Sequence, residues 1–292
     1  MEYLPKMNIS KTISSKKLSF NINILPYFLD HKFENKPVLP AVEAMKLLAQ
    51  TALPYLEEKK IICFTNTDFK RFVPIPSDKK NILIFINIDF YENNCVRVTL
   101  MTQILSGKMK IRRIKEHVSL NLLTLDNIDN PLNLSAIKKE CFKISNQQIY
   151  KELVLFGPAY HNIKKNLKIT ENQVDALVYA GNFPDCSSFS GSPFPLDAAF
   201  HAACVWAQRY AGIVAFPVGL DKRYIINPTK PGNLYSARIK PVQKNLPLLI
   251  FDMEIYTLEG TICEIISGVK MQDISRGRLK PPDWVSKDLF QT

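Results

Sequence analysis

Apolar residues recur along this chain with two different periods, and the same order of periods appears twice. In the first half, Ala41, Met45, Leu48, Ala49 and Ala52 fall at three- and four-residue spacing, which predicts a buried helix from Pro40 to Leu53. Pro40 suits the first helical turn and Pro54 stops the helix. A short strand over 18–24 precedes it. Runs rich in β-branched and aromatic residues follow over 61–69, 82–91, 96–106 and 110–122 and predict strands. Asn93-Asn94 and Ser106-Gly107 read as turns between them. In the second half, a short helix over 145–155 precedes strands over 163–169 and 173–180. A long loop, 181–195, leads into an apolar helix that carries Asp197 and runs to about Ala211. Strands over 234–241, 248–257 and 261–269 follow.

The segment 124–141 is richer in Asn, Asp and Pro and has weak periodicity, so it reads as a linker. The chain therefore divides into an N-terminal unit, 1–123, and a C-terminal unit, 142–292, whose end (276–292) reads as a tail on the surface. Each unit is one apolar helix plus several antiparallel strands. A sheet that alternates apolar and polar residues must cover one face, and a single central helix can do so. Periodicity alone gives an α+β class with two similar halves.

The 292 residues carry a formal charge of +11, which favours acidic partners. The basic stretch Lys108, Lys110, Arg112, Arg113 and Lys115 reads first as a solvated sheet face and second as a docking surface. It has no aromatic interleaving and no nucleic-acid motif, so nucleic acid is not expected as a partner. No run of about 18 apolar residues exists to span a membrane, and no apolar run of signal-peptide length precedes Lys17. The expected location is the cytoplasm. The six cysteines, at 63, 95, 141, 186, 204 and 263, never adopt the C-x-x-C spacing and read as reduced, buried thiols.

The chemistry sits at the two helix entrances. Asp30-His31-Lys32-Phe33-Glu34-Asn35-Lys36-Pro37-Val38-Leu39-Pro40 leads into the first helix, and Phe194-Pro195-Leu196-Asp197-Ala198-Ala199-Phe200-His201 opens the second. One imidazole and one carboxyl at matching places suit a reaction that removes one proton and donates another. Taken singly, His31 reads as a turn residue and Asp197 as a helix cap. His161 reads as structural and His117 as exposed on a charged strand. His31, His201 and Asp197 include the ligand types of an iron or zinc site, but no metal is expected. The run Ser187–Ser190, beside Asp185 and Cys186, lacks a G-x-S-x-G elbow and reads as a loop over the site.

These motifs resemble those of the polyketide synthase dehydratase domains and the related polyunsaturated fatty acid synthase dehydratases. The family pattern HxxxGxxxxP is matched from His31 to Pro40 with Asn35 in place of Gly. The YGP pattern is matched at Phe156-Gly157-Pro158 with Phe in place of Tyr. The DxxxQ/H pattern is matched at Asp197 and His201, with Pro195 upstream. Phe72-Val73-Pro74 and Phe216-Pro217-Val218-Gly219 also look like family loops.

The resemblance implies a double hotdog, that is, two tandem hotdogs with a site at their seam. It implies a dehydratase that eliminates water from a 3-hydroxyacyl thioester, giving a 2-enoyl thioester, in polyketide or fatty acid biosynthesis. His31 would be the base, Asp197 the acid, and His201 the residue that orients the acid. Phe156, Gly157 and Pro158 would support them, with the Gly157 turn or a helix start offering N–H groups to the thioester oxygen. Phe33, Val38, Leu39, Pro40 and Pro195 would wall the acyl tunnel. No cofactor is implied beyond the phosphopantetheine of an acyl carrier protein, which is the expected partner, and a homodimer is compatible with the family. Asn35 is expected to keep the turn, because Asn tolerates a left-handed backbone. Phe156 lacks the tyrosine hydroxyl, which implies a slower enzyme or an altered substrate orientation. Two other readings remain open: a product-template-like cyclase on the same fold, and a non-catalytic acyl-binding or assembly module.

Overall fold

Strand β5 (Asn81–Tyr91) shows how the pattern becomes structure: Ile82, Ile84, Ile86 and Ile88 are buried while Leu83 faces solvent. This is the side-chain alternation of a sheet covered on one face. The computed structural model describes residues 12–92, 94–106, 111–128, 134–138, 140–183 and 189–287; side chains are described outside 104–112. The Asn93 and Gly107 turns, Lys108, Lys110, and Asp185, Cys186 and Ser187 of the long loop lie outside the described residues.

The first half consists of β1 (Thr12–Asn23), a 3-10 turn (Pro26–Asp30), a tiny hairpin of β2 (Lys32–Phe33) and β3 (Lys36–Pro37), and helix α1 (Ala41–Ala52). It continues with β4 (Ile61–Phe69), β5, β6 (Val96–Ser106) and β7 (Ile111–Leu125). The second half has β8 (Phe142–Ile144), a helical turn α2 (Asn146–Gln148) continuing as a π turn (Ile149–Leu153), β9 (Leu167–Thr170) and β10 (Gln173–Tyr179). Helix α3 (Phe194–Tyr210), β11 (Phe216–Ile225), β12 (Leu234–Gln243), β13 (Leu249–Tyr256) and β14 (Ile262–Gln272) complete it.

Twelve strands form one antiparallel sheet in the order β1-β5-β6-β7-β4-β11-β14-β13-β12-β10-β9-β8. The first five belong to the first half and the rest to the second. The halves are joined by the β4–β11 pair, with Phe64 opposite Arg223 and Ile62 opposite Ile225. Gly219 is required at this seam: a Cβ there would lie 2.6 Å from the Thr67 carbonyl oxygen. Helix α1 packs on β6 and β7, helix α3 packs on β10, β12 and β13, and the two helices touch. Because α3 is enclosed, every residue from Phe194 to Gln208 is buried, and Ala198, Ala199, Ala202, Ala203 and Ala207 let the sheet approach closely. Among the described residues no helix is long and apolar enough to cross a membrane.

Several expectations need correction. Strand β11 reads as a loop in the sequence, yet it is the central strand of the seam. Strand β7 runs to Leu125, beyond the expected linker start. Within the expected linker, Leu134 N–H donates to Glu254 Oε2 (2.7 Å) and Ile137 N–H to Asp175 Oδ2 (2.6 Å). The C-terminal segment is anchored rather than merely resting on the surface. Val285 is fully buried, its carbonyl accepts from Arg209 Nη1 (2.7 Å), and Trp284 Nε1 donates to Glu152 (2.7 Å). His117 is buried, not exposed. Its Nδ1 meets the Phe72 carbonyl at 2.8 Å and its Nε2 meets Thr102 Oγ1 at 2.7 Å.

Candidate active site

The His31 turn is a hairpin in which Glu34 and Asn35 occupy left-handed backbone (φ 48° and 64°). Two such residues in succession fit the tight turn that matches strand twist, and Asn is among the few non-glycine residues suited to it. The hairpin returns the chain so that Val38 N–H donates to the His31 carbonyl (2.9 Å), and His31 Nδ1 reaches the Val38 carbonyl (3.2 Å). A carbonyl only accepts, so Nδ1 carries the proton and Nε2 keeps its lone pair. Burial drives the His31 pKa from 6.5 down to about 4, and nearby His201 pushes the same way; Asp197 and the Val38 carbonyl oppose it. The ring is therefore a neutral base at physiological pH.

Asp30 clamps this turn to the second half. Its carbonyl accepts from Gly157 N–H (2.7 Å) and its Oδ2 from Ala159 N–H (2.9 Å). A Cβ on Gly157 would lie 2.4 Å from Asp30 Cγ, so glycine is needed for the contact. The clamp stacks the Phe156 ring on His31 at 4.3 Å and 17°, and the same ring lies 5.0 Å from His201. Gly157 thus positions the base. Contrary to the sequence expectation, its N–H is not free for a substrate oxygen. Replacing Gly157 by Ala is expected to destabilise the fold by about 1–3 kcal/mol through overpacking. Thermal unfolding would show a lowered Tm; an unchanged Tm would contradict the clamp.

Asp197 lies in the first turn of α3, and His201 one turn later on the same face. His201 Nε2 is 3.1 Å from Asp197 Oδ2, in contact but out of line for a hydrogen bond. Both residues are buried, as is Tyr150, whose hydroxyl stands 3.4 Å from His201 Nδ1.

His31, Phe156, Asp197 and His201 line one cavity of about 640 Å³. Its wall includes Phe33 and Leu39 together with Phe69, Phe72, Phe200 and Phe216. Val38, Pro40 and Pro195, expected in the wall, are absent from it, as are Gly157 and Pro158. Val38 is buried in the protein interior and contributes its carbonyl. The Pro40 carbonyl accepts from Ala44 N–H. Pro195 is buried within the first turn of α3, so it shapes the helix start instead of the cavity.

Cavity residues that sequence reasoning missed include Cys204 and Gln208, which continue the Asp197–His201 line along α3. Their helical spacing could have revealed them. Burial pushes the Cys204 thiol up to about 11, so it stays protonated and is no nucleophile. Lys32, Lys70, Arg71 and Lys280 also border the cavity. Among the described residues, no group of three or more His, Cys, Asp or Glu side chains is arranged to hold a metal ion.

Residues 143–281 match the family model described as "Polyketide synthase dehydratase N-terminal domain". Polyketide synthase PksN of Bacillus subtilis (strain 168) is 21% identical over 272 residues, covering 88% of this chain; the chain spans about 5% of that relative's length. The dehydratase domain from the CurF module of the curacin polyketide synthase superposes with a TM-score of 0.72 at 17% identity, covering 90% of this chain and 97% of that one. An inactive CurK dehydratase mutant with an aspartate-to-asparagine change gives a TM-score of 0.71 at 16% identity, covering 91% and 96%. A second inactive CurK mutant, with a histidine-to-phenylalanine change, gives 0.70 at 17%, covering 92% and 95%. Residues 143–281 thus match a polyketide synthase dehydratase family model, within a chain whose described fold is that of the double-hotdog dehydratase domains.

Proposed function

We propose that this chain is a dehydratase that removes water from a 3-hydroxyacyl thioester, carried on the phosphopantetheine of an acyl carrier protein during polyketide assembly. The observation that carries the reading is the pairing in one apolar cavity of a neutral imidazole, its Nε2 free, with a carboxyl group. The inactive CurK mutants, one altered at a histidine and one at an aspartate, support a chemistry that needs one of each.

His31 Nε2 takes the proton from C2 of the thioester. The electron pair forms the C2=C3 bond as the C3–O bond breaks. Asp197 protonates the departing hydroxyl, which leaves as water. His31 ends as imidazolium and Asp197 as carboxylate, and proton return through solvent resets both. The step is redox-neutral, so it needs no electron carrier. The phenyl walls exclude water and suit an acyl chain. Lys32, Arg71 and Lys280 at the cavity border suit the phosphate of the pantetheine arm.

The test is incubation of the chain with a synthetic 3-hydroxyacyl-pantetheine thioester, read by mass spectrometry. Loss of one water to give the 2-enoyl thioester supports the reading. A cyclised product would support the cyclase, an unchanged thioester that binds would support an acyl-binding module, and either result ends the dehydratase reading.

A further inference from the structure

Tyr150 lies in the π turn after α2, buried, with its ring stacked on His161 at 4.3 Å and 13°. Its hydroxyl oxygen accepts the Ile163 backbone N–H at 2.9 Å and stands 3.4 Å from His201 Nδ1. We propose that Tyr150 is a positioning residue of the active site: its hydroxyl fixes His201 as the Nε2–H tautomer, which in turn holds the Asp197 carboxyl. The catalytic consequence rests on the reading of Asp197 as the acid; the tautomer assignment does not.

A phenol has one proton, and burial drives the Tyr150 pKa well above its usual value, so the proton is retained. With the Ile163 N–H already on its oxygen, the hydroxyl needs an acceptor for that proton. His201 Nδ1 is the acceptor it meets. An Nδ1 that accepts obliges the neutral ring to carry its hydrogen on Nε2. That nitrogen faces Asp197 Oδ2 at 3.1 Å, and neither atom has another hydrogen-bond partner among the described residues. The opposite tautomer would strand the phenol proton and set a lone pair against the carboxyl oxygen.

In the assigned tautomer Oδ2 is the acceptor 3.1 Å from the His201 Nε2–H, which donates to it once the two side chains rotate into line. Oδ1 is then left to carry the proton that the leaving group takes. Phe156 offers no hydroxyl at this site, and Tyr150 supplies one. His161 steadies the arrangement from behind, stacking on Tyr150 while its Nε2 reaches the Phe156 carbonyl at 2.9 Å.

The test is nitrogen-15 NMR of the full chain labelled at histidine, with the His201 signals assigned by their absence from His201→Gln. Wild type is expected to show His201 protonated at Nε2 and unprotonated at Nδ1. Tyr150→Phe is expected to lose that preference and to lower kcat roughly tenfold with KM nearly unchanged. A tyrosine that merely caps the Ile163 N–H would leave tautomer and kcat untouched, and that result overturns the proposal. So does a wild-type spectrum with the proton on Nδ1, which decides the matter even if Tyr150→Phe does not fold. The correct tautomer in a chain that removes no water would uphold the His201 assignment and count against the dehydratase reading instead.

Discussion

His31→Ala is expected to abolish water loss, lowering the rate by about 10²–10⁴-fold, the usual worth of a well-placed base. The fold should survive, because the hairpin that carries His31 is held by backbone bonds. Val38 N–H still donates to the residue-31 carbonyl, and Gly157 N–H still donates to the Asp30 carbonyl. Circular dichroism and thermal unfolding would confirm folding beside the assay. Wild-type activity in a folded His31→Ala protein would remove the mechanism.

The pH profile carries the same signature. Since the folded His31 pKa lies at about 4, kcat/KM should hold from neutrality down to about pH 4 before losing the base form. An acid limb near 6.5 would mean the base is solvated. Stability follows by linkage. Between pH 6.5 and 4 the unfolded chain binds a proton at this histidine that the folded protein resists, so stability falls as pH drops through that window. His117, also lowered by burial, acts with the same sign. His31→Ala should therefore flatten part of the acid loss and leave the His117 part.

Asp197→Asn should be nearly as damaging, by about 10²–10⁴-fold in kcat, for a different reason. The amide keeps the shape of the carboxyl and can still meet His201, so binding and folding should change little. What disappears is a proton that can be given to a leaving hydroxide. The expected kinetic pattern is a fall in kcat with KM nearly constant. A large rise in KM with kcat intact would instead mark Asp197 as a binding group. The double variant with His31→Ala should be scarcely worse than either single one, because the two groups act in one step.

Much of this fold could be read from residue periodicity because most strands bury one face. The bounds expected for β4 and β6 coincide with the observed ones, Ile61–Phe69 and Val96–Ser106. Strand β11 escaped because its pattern is broken by Pro217, Gly219 and the run Asp221-Lys222-Arg223. Its charges are answered only in three dimensions: Arg223 is buried against Glu264 at 2.7 Å, and Asp221 pairs with Lys270 at 2.6 Å. His117 misled for the same reason. Its neighbours in sequence are charged, but its partners, Phe72 and Thr102, come from other strands and loops.

At the site, His31, Asp197 and His201 were visible as types at helix entrances. Their convergence follows from the resemblance, which implies a site at the seam of two hotdogs, and not from periodicity, which carries no information on the β4–β11 pairing that joins the halves. Asp30 and Tyr150 gave no sequence signal of their own. The role of Asp30 is set by the Gly157 loop and that of Tyr150 by Ile163 and His201, all distant in the chain. Val38, Pro40 and Pro195 adjoin the motifs in sequence, which suggests the wall, yet all three are buried outside the cavity lining.

The measurement that bears most directly on the central claim uses a 3-hydroxyacyl-pantetheine thioester carrying two deuteriums at C2, with product masses followed in ordinary water. The account predicts that each enoyl product has lost one C2 deuterium together with the hydroxyl, more slowly than the unlabelled substrate, and that His31→Ala and Asp197→Asn leave the labelled substrate intact. Deuterium washing out with no water lost, or water lost at the wild-type rate in either variant, would contradict it.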